Sequence, residues 1–407
     1  MKPNPTTNPL TRAFDAASAV YTPPEVADAG LNEIRRVEKT QGKGAILGID
    51  GVDGYVPPLK PGQLTVVLAQ SGNFKTGLMN HMAAVNARRI ADEGRVGKAC
   101  IVYVSMEEPI EEQAINELAR ASGMRATDLA RGNVQDWTRL KRAADDVGGV
   151  PIYRVGSSFA RADMAPELTM SNMVRAIEYL RDDVLGRKLE IDLILFDYLQ
   201  AFPVDPERRG ARAEETMRLQ AIDNVFTCRL ASLKFGAPVV LGSQAKQELR
   251  AGKSPVQIPI GYDAQESAAI SQHADKLITL WMPKKTSSPG DAIEHGRYTF
   301  TVDERQLVMR VDKQRLAASG GEFMAYVNYS TMSIGAAVPE RDWKLPPGRR
   351  PRRRARASRA RTTGAGATAV TGSRTDAMGP GELMEIGLDP ARYKRAAADE
   401  YHGPCPR

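Results

Sequence analysis

The sequence predicts an α/β protein built on a doubly wound, mostly parallel sheet, and three observations lead there. Short apolar runs rich in β-branched residues alternate with helical patterns: LTVVLA from Leu64, KACIVYVS from Lys98, PIYRV from Pro151, IDLILFDYL from Ile191, PVVLGSQ from Pro238 and KLITLW from Lys276. That alternation is what βαβ units produce. Several runs end at or just before polar residues, namely Glu107, Asp197 and the pair Ser243 and Gln244, and ligands of open parallel sheets collect at the carboxyl ends of strands. From Arg297 the pattern changes. RYTFTVD, QLVMRVDKQR and EFMAYVNYS follow one another with no helix between them, predicting an antiparallel extension of the sheet edge.

The chain has 407 residues, enough to bury a full core, and its composition shifts only near the end, so one large domain with tails is expected. Cys100, Cys228 and Cys405 lie far apart and form neither a metal-ligand pattern nor a disulfide framework. No apolar stretch approaches membrane-spanning length, and MKPNPTTNPL lacks the apolar segment of a signal peptide. A soluble cytoplasmic protein without a membrane partner is the expectation. The net charge of +7 is unevenly placed: from Arg341 onward there are fifteen Lys/Arg against seven Asp/Glu, and before it 41 against 42. The body is nearly neutral and the tail is basic.

Residues 1–21 read as unstructured. Thr22, Pro23 and Glu25 then give a helix start, with an N-cap hydroxyl, proline at the first helical position and a glutamate placed for a capping box. The helix runs to about Thr40 and forms a linker, 22–44, ahead of the domain at 45–338. Ala27, Leu31 and Ile34 make one apolar stripe. An amphipathic helix needs a surface to lie on, either its own domain or a neighbouring subunit.

After a Gly/Pro-rich lead-in comes LTVVLAQSGNFKT, Leu64 to Thr76. This reads as a buried strand, a phosphate loop and a helix start, with Ala69, Gln70, Ser71, Gly72, Asn73, Phe74, Lys75, Thr76 and Gly77 around the polyphosphate. Backbone amides and the helix N-terminus surround the phosphates, Lys75 reaches the β and γ phosphates, and the Thr76 hydroxyl holds Mg²⁺. The fit to G-x-x-x-x-G-K-[ST] departs at Ala69 and at Phe74, which stand where glycines belong. A side chain at 74 either crowds the β-phosphate or excludes the needed dihedrals, unless Gly72 supplies the flexibility.

Helices are expected over about 78–93, 110–121, 136–146, 171–185, 214–234 and 264–275. Glu107 follows the strand beside the first. Asp197 ends another strand, where it either caps a turn or takes a Mg²⁺ water. Ser243 and Gln244 end a third, and a polar residue there can sense a γ-phosphate. Lys313 and Arg315, two apart on an edge strand, share a face and either meet solvent or reach a phosphate bound elsewhere.

The ordered set AQSGNFKT, SMEEP, ILFDYLQ, VVLGSQ, QESAAISQHAD and DKQR resembles the RecA-like motor domain of the hexameric DnaB-like replicative helicases, over about residues 45 to 335. The resemblance implies a homo-hexameric ATPase that moves on single-stranded DNA, with ATP and Mg²⁺ as cofactors. Lys75 and Thr76 would bind phosphate and Mg²⁺, Asp197 the Mg²⁺ water, Glu107 would act as general base and Gln244 as γ-phosphate sensor. Lys313 and Arg315 would enter the next subunit's site, and the helix from Thr22 would clip subunits together. DNA contacts would come from two loops, one carrying Arg208, Arg209, Arg212 and Arg218, the other Lys246, Arg250 and Lys253, which otherwise read as solvated polar loops. Aromatic residues are scarce in both, so phosphate contacts are expected. Bacterial members carry an amino-terminal collar that meets primase, and residues 1–44 leave no room for it. A bacterial or phage-infected cytoplasm and a separate primase or loader protein suit such a motor.

Residues 339–407 form a disordered basic tail. GRRPRRRARASRAR, with eight arginines, precedes the low-complexity TTGAGATAVTGS. Two alternatives stand beside the helicase: a RecA-like DNA-binding ATPase of recombination or regulation that does not unwind, and a degenerate nucleotide-binding scaffold.

Overall fold

The computed structural model describes residues 20–39, 43–203, 213–246, 258–264, 269–295, 298–315, 317–329, 332–340 and 343. The first element, α1 (Pro23–Lys39), starts where its capping residues predict. The Glu25 carboxylate accepts from the Thr22 amide at 2.7 Å and from the Thr22 hydroxyl at 2.8 Å, the reciprocal half of a capping box. No residue of α1 is buried, and Leu31 and Ile34 are 50% and 65% exposed. In the single chain the stripe stays outside the core of its own domain.

Next come β1 (Leu64–Ala69), α2 (Lys75–Asp92), β2 (Ala99–Ser105), α3 (Ile110–Ser122), α4 (Ala126–Ala130), α5 (Trp137–Gly148), β3 (Ile152–Gly156), α6 (Met170–Tyr179) and β4 (Glu190–Asp197). They are followed by α7 (Ala213–Phe235), β5 (Val239–Gln244), α8 (Ala269–His273), β6 (Lys276–Trp281), β7 (Ala292–His295), β8 (Tyr298–Thr301), β9 (Gln306–Gln314), β10 (Gly321–Asn328), β11 (Ser333–Ile334) and β12 (Val338–Pro339). The main sheet runs β11-β10-β9-β6-β1-β5-β4-β2-β3, with β12 on β10. Its six strands from β6 to β3 are parallel, while β9 joins β6 and β10 joins β9 antiparallel.

Every residue of β1 is buried, because both faces of the sheet are covered. Val67 and Ala69 face α2, packing with Leu78, Met79 and Met82. Leu64, Val66 and Leu68 face the other layer, where α6 supplies Met173 and Ile177 and α7 supplies Val225 and Cys228. Each such aliphatic burial contributes about 1.5–3 kcal/mol. Cys100 and Cys228 are buried free thiols. Among the described residues no helix is long and apolar enough to cross a membrane.

Three expectations need correction. RYTFTVD is not part of the edge extension, since β8 pairs with β7 in a separate two-stranded sheet. That hairpin covers an apolar patch of its own, in which Ile293, Tyr298 and Val302 pack with Trp281, Val308 and Trp343. The strand before Glu107 is not beside the first, since β5 and β4 lie between β1 and β2, whereas the helix expected over 171–185 is met by α6 and a wider turn that continues it through Val184. Of the helix expected over 264–275, only α8 is described; Gly261–Asp263 is a single tight turn, and Ala264 bridges Ala245.

Candidate nucleotide site

The loop after β1 is built from its backbone outward. Gly72 has φ 71° and Phe74 φ 65°, ψ 24°. Gly72 therefore does not relieve residue 74 of the left-handed conformation; both adopt it. Such a conformation costs a non-glycine residue roughly 1–2 kcal/mol, so something must hold Phe74 there. Its ring is 9% exposed, lies in the core beside Leu78 and Met79, and meets Tyr329 edge-on with centroids 6.1 Å apart. Asn73 secures the same turn: its Oδ1 accepts from the Met282 amide at 2.7 Å, and its Nδ2 donates to the Gln70 and Ser71 carbonyls at 3.4 and 3.3 Å.

Lys75 opens α2, which adds a helix N-terminus to the loop amides. Its stem packs against β5, where a Cβ on Gly242 would stand 3.2 Å from Lys75 Cδ. Its ammonium is 3.5 Å from the Tyr198 ring centroid. Burial pushes the Lys75 pKa down, and the charges of Asp197 and Glu107 oppose that shift. Asp197 ends β4 fully buried. Its Oδ2 accepts from the Tyr103 hydroxyl at 3.1 Å, Thr76 hydrogen-bonds the same carboxylate, and Oδ1 has no hydrogen-bond partner among the described residues. Burial raises this carboxyl's pKa, with Lys75 pulling it back. An orphaned carboxylate oxygen beside a threonine hydroxyl fits Mg²⁺, which is held by one or two protein oxygens with phosphate and water completing the shell.

Glu107 stands just beyond β2, exposed, and near enough to contribute to the fields at Lys75 and Asp197. Its neighbour Glu108 is half-buried, with Oε2 unpartnered among the described residues and its carboxyl pKa raised by burial and by the charges of Asp197 and Glu107. Gln244 ends β5; its amide donates to Gln200 Oε1 at 2.9 Å, and Gln200 Nε2 donates to Ser243 Oγ at 3.3 Å. Gln70 Nε2 donates to the Lys246 carbonyl at 3.0 Å, joining the phosphate loop to the exit of β5.

Lys313 and Arg315 lie elsewhere. Lys276 pairs with Thr65 on one side and with Gln314 on the other, which puts the end of β9 beside the amino end of β1. The phosphate loop leaves the carboxyl end, about 17 Å away at 3.3 Å per residue. Lys313 Nζ donates to the carbonyls of Ser271 at 2.9 Å and Gln272 at 3.2 Å, and Arg315 pairs with buried Asp275 at 3.1 Å. Arg218 is exposed on α7 and Lys246 is exposed after β5. Arg208, Arg209, Arg212, Arg250 and Lys253 lie outside the described residues.

Four contributors escaped the sequence reading. Tyr103 and Gly242 look like core strand positions, Gln200 is visible only as the last letter of DYLQ, and Lys285 has no motif. The Lys285 ammonium stands 2.8 Å from where a Gly72 Cβ would be.

A doubly wound sheet whose first strand feeds a phosphate loop, with a buried acid at the same end of the sheet two strands away, defines a phosphate-loop nucleotide-binding protein of the RecA-like class. The chain belongs to the family described as DnaB-like helicase C terminal domain, whose profile matches residues 44–331. It is 26% identical over 186 residues to the replicative DNA helicase DnaB of Mycobacterium intracellulare, and equally so to that of Mycobacterium leprae (strain TN). These matches cover 45% of this chain but only 28% and 27% of the relatives. Among solved structures, one described as an ATPase domain superposes with a TM-score of 0.58 at 16% identity, covering 76% of this chain and 98% of that one. A DnaB-like replicative helicase, described together with its interactions with primase, gives 0.57 at 16% identity, covering 76% and 66%.

Proposed function

We propose that the protein is an ATP-driven DNA helicase motor of the DnaB type, working on single-stranded DNA as a homo-hexameric ring in replication. The observation that carries this reading is the gathering of Lys75, Thr76 and Asp197 at the carboxyl ends of parallel strands, with Glu107 beside them. Lys75 and the loop amides bind and orient the polyphosphate, Thr76 and Asp197 hold the divalent ion, and Glu107 takes the proton from the attacking water. A divalent ion held by Thr76 and Asp197 would supply neutralisation of phosphate charge. Gln244, braced by Gln200, reports the γ-phosphate state to the segment beyond β5.

Lys313 and Arg315 stand too far along the sheet to serve the site of their own chain, so in this reading they serve a neighbour's. Arg208, Arg209, Arg212, Arg218, Lys246, Arg250 and Lys253 are proposed as DNA phosphate contacts. A primase or loader protein as partner and a bacterial or phage-infected cytoplasm follow from the same reading. The test is ATP hydrolysis with and without single-stranded DNA, followed by unwinding of a forked duplex. Unwinding separates a helicase from a RecA-like switch that only binds DNA. An inert native protein made active by Phe74→Gly would instead point to a degenerate nucleotide-binding scaffold.

A further inference from the structure

We infer that Phe74 and Gly77 form a compensating pair: Gly77 lacks a side chain so that Phe74 can hold the phosphate loop in the shape a glycine would otherwise give it. The inference rests on the nucleotide-binding reading of the loop and gives two residues already placed along it a positioning role. Phe74 carries a left-handed backbone, φ 65° and ψ 24°, at the position directly before Lys75. An aromatic residue adopts that conformation only when its surroundings hold it. Its ring occupies the space over the first turn of α2. A Cβ built on Gly77 would lie 2.5 Å from Phe74 Cε1 and Cζ and 2.7 Å from Cδ1, distances at which the ring has to leave.

The ring has little freedom to leave, because its other side meets Tyr329. The Tyr329 hydroxyl is fixed to the Glu304 carbonyl at 2.9 Å, and the Lys284 ammonium lies 4.3 Å from the Tyr329 ring centroid. Displacing the ring would turn the 74–75 peptide, and with it the amide of Lys75 and the start of α2. Glycine at 77 is a poorer helix former than alanine, and in the first turn of a helix that loss needs a reason. Room for Phe74 is one. The bulky residue is thus turned out of the phosphate space and into the core, which explains how a loop lacking its glycine can remain open to a polyphosphate.

The pair has a signature that separate roles would not give. Gly77→Ala should weaken Mg·ADP binding at least tenfold in the native protein and less than threefold in a Phe74→Gly background. Calorimetric titration of Mg·ADP into the native protein, both single variants and the double variant reads this directly. Thermal unfolding of the four proteins without nucleotide reads the packing alone: Gly77→Ala should lower the midpoint clearly in the native background and hardly at all beside Phe74→Gly. A Gly77→Ala protein too unstable to titrate, rescued by Phe74→Gly, supports the pair. Equal effects of Gly77→Ala in both backgrounds, or none in either, overturn it. If the native protein melts normally and neither it nor any variant binds Mg·ADP, the nucleotide reading itself fails, and the pair loses its function with it.

Discussion

Phe74 is the residue at which sequence and fold disagree most usefully. Replacing it with glycine relieves about 1 kcal/mol of left-handed strain but removes a buried ring, a loss of about 3 kcal/mol. The expected net is a fall in unfolding midpoint of about 5 °C for a domain this size, with ATP affinity changed by less than tenfold, ~1.4 kcal/mol; calorimetry and thermal melting check the two parts. Lys276 gives a second test. Burial pushes its pKa down to about 8, and its ammonium donates to Gln63 Oε1 at 2.8 Å. A folded-state pKa below the unfolded 10.5 means that the unfolded chain binds more protons between about pH 8 and 10.5, so stability rises with pH across that window. Lys276→Met should remove this rise and stabilise the protein by about 1–2 kcal/mol at pH 7, measured by denaturant titrations at pH 7 and 10.

Among the elements, α1 and β9 carry the argument about neighbours. The α1 stripe is exposed in the single chain. Leu31→Asp with Ile34→Asp should therefore leave the melting curve of the chain unchanged while preventing ring assembly, followed by analytical ultracentrifugation. Arg315→Ala should nearly abolish hydrolysis, since a finger contributes on the order of 10³ to 10⁵ in rate, with nucleotide affinity largely kept. Asp275 retains Arg229 as a partner, so the variant should still fold. Mixing it with Glu107→Ala chains should restore part of the turnover at mixed interfaces, and no recovery at any ratio would sink the shared site. The strands, and the strand ends that hold Lys75, Asp197 and Gln244, were legible because buried parallel strands are continuous apolar runs with polar tips. The β7–β8 hairpin was not, because its partner surface is an aromatic cluster assembled from distant positions. Gln200 and Tyr103 were missed for a related reason, since their roles depend on which strand lies beside which.

For the whole molecule, charge is divided between a nearly neutral body and a basic tail. Removing residues 345–407 should weaken DNA binding chiefly at low salt, because each neutralised phosphate of a single strand adds about 0.7 to the salt slope. Hydrolysis at saturating DNA should persist, and its loss would place the tail within the motor. The sheet also divides each chain lengthwise. The phosphate loop lies at one end of β1 and Arg315 at the other, so on the proposed reading every chain carries two halves of different sites. A closed ring then holds as many complete sites as subunits, an open row holds one fewer, and a lone chain holds none. Turnover per chain would rise with protein concentration and level off once rings close, and ring closure itself would count as one more catalytic centre.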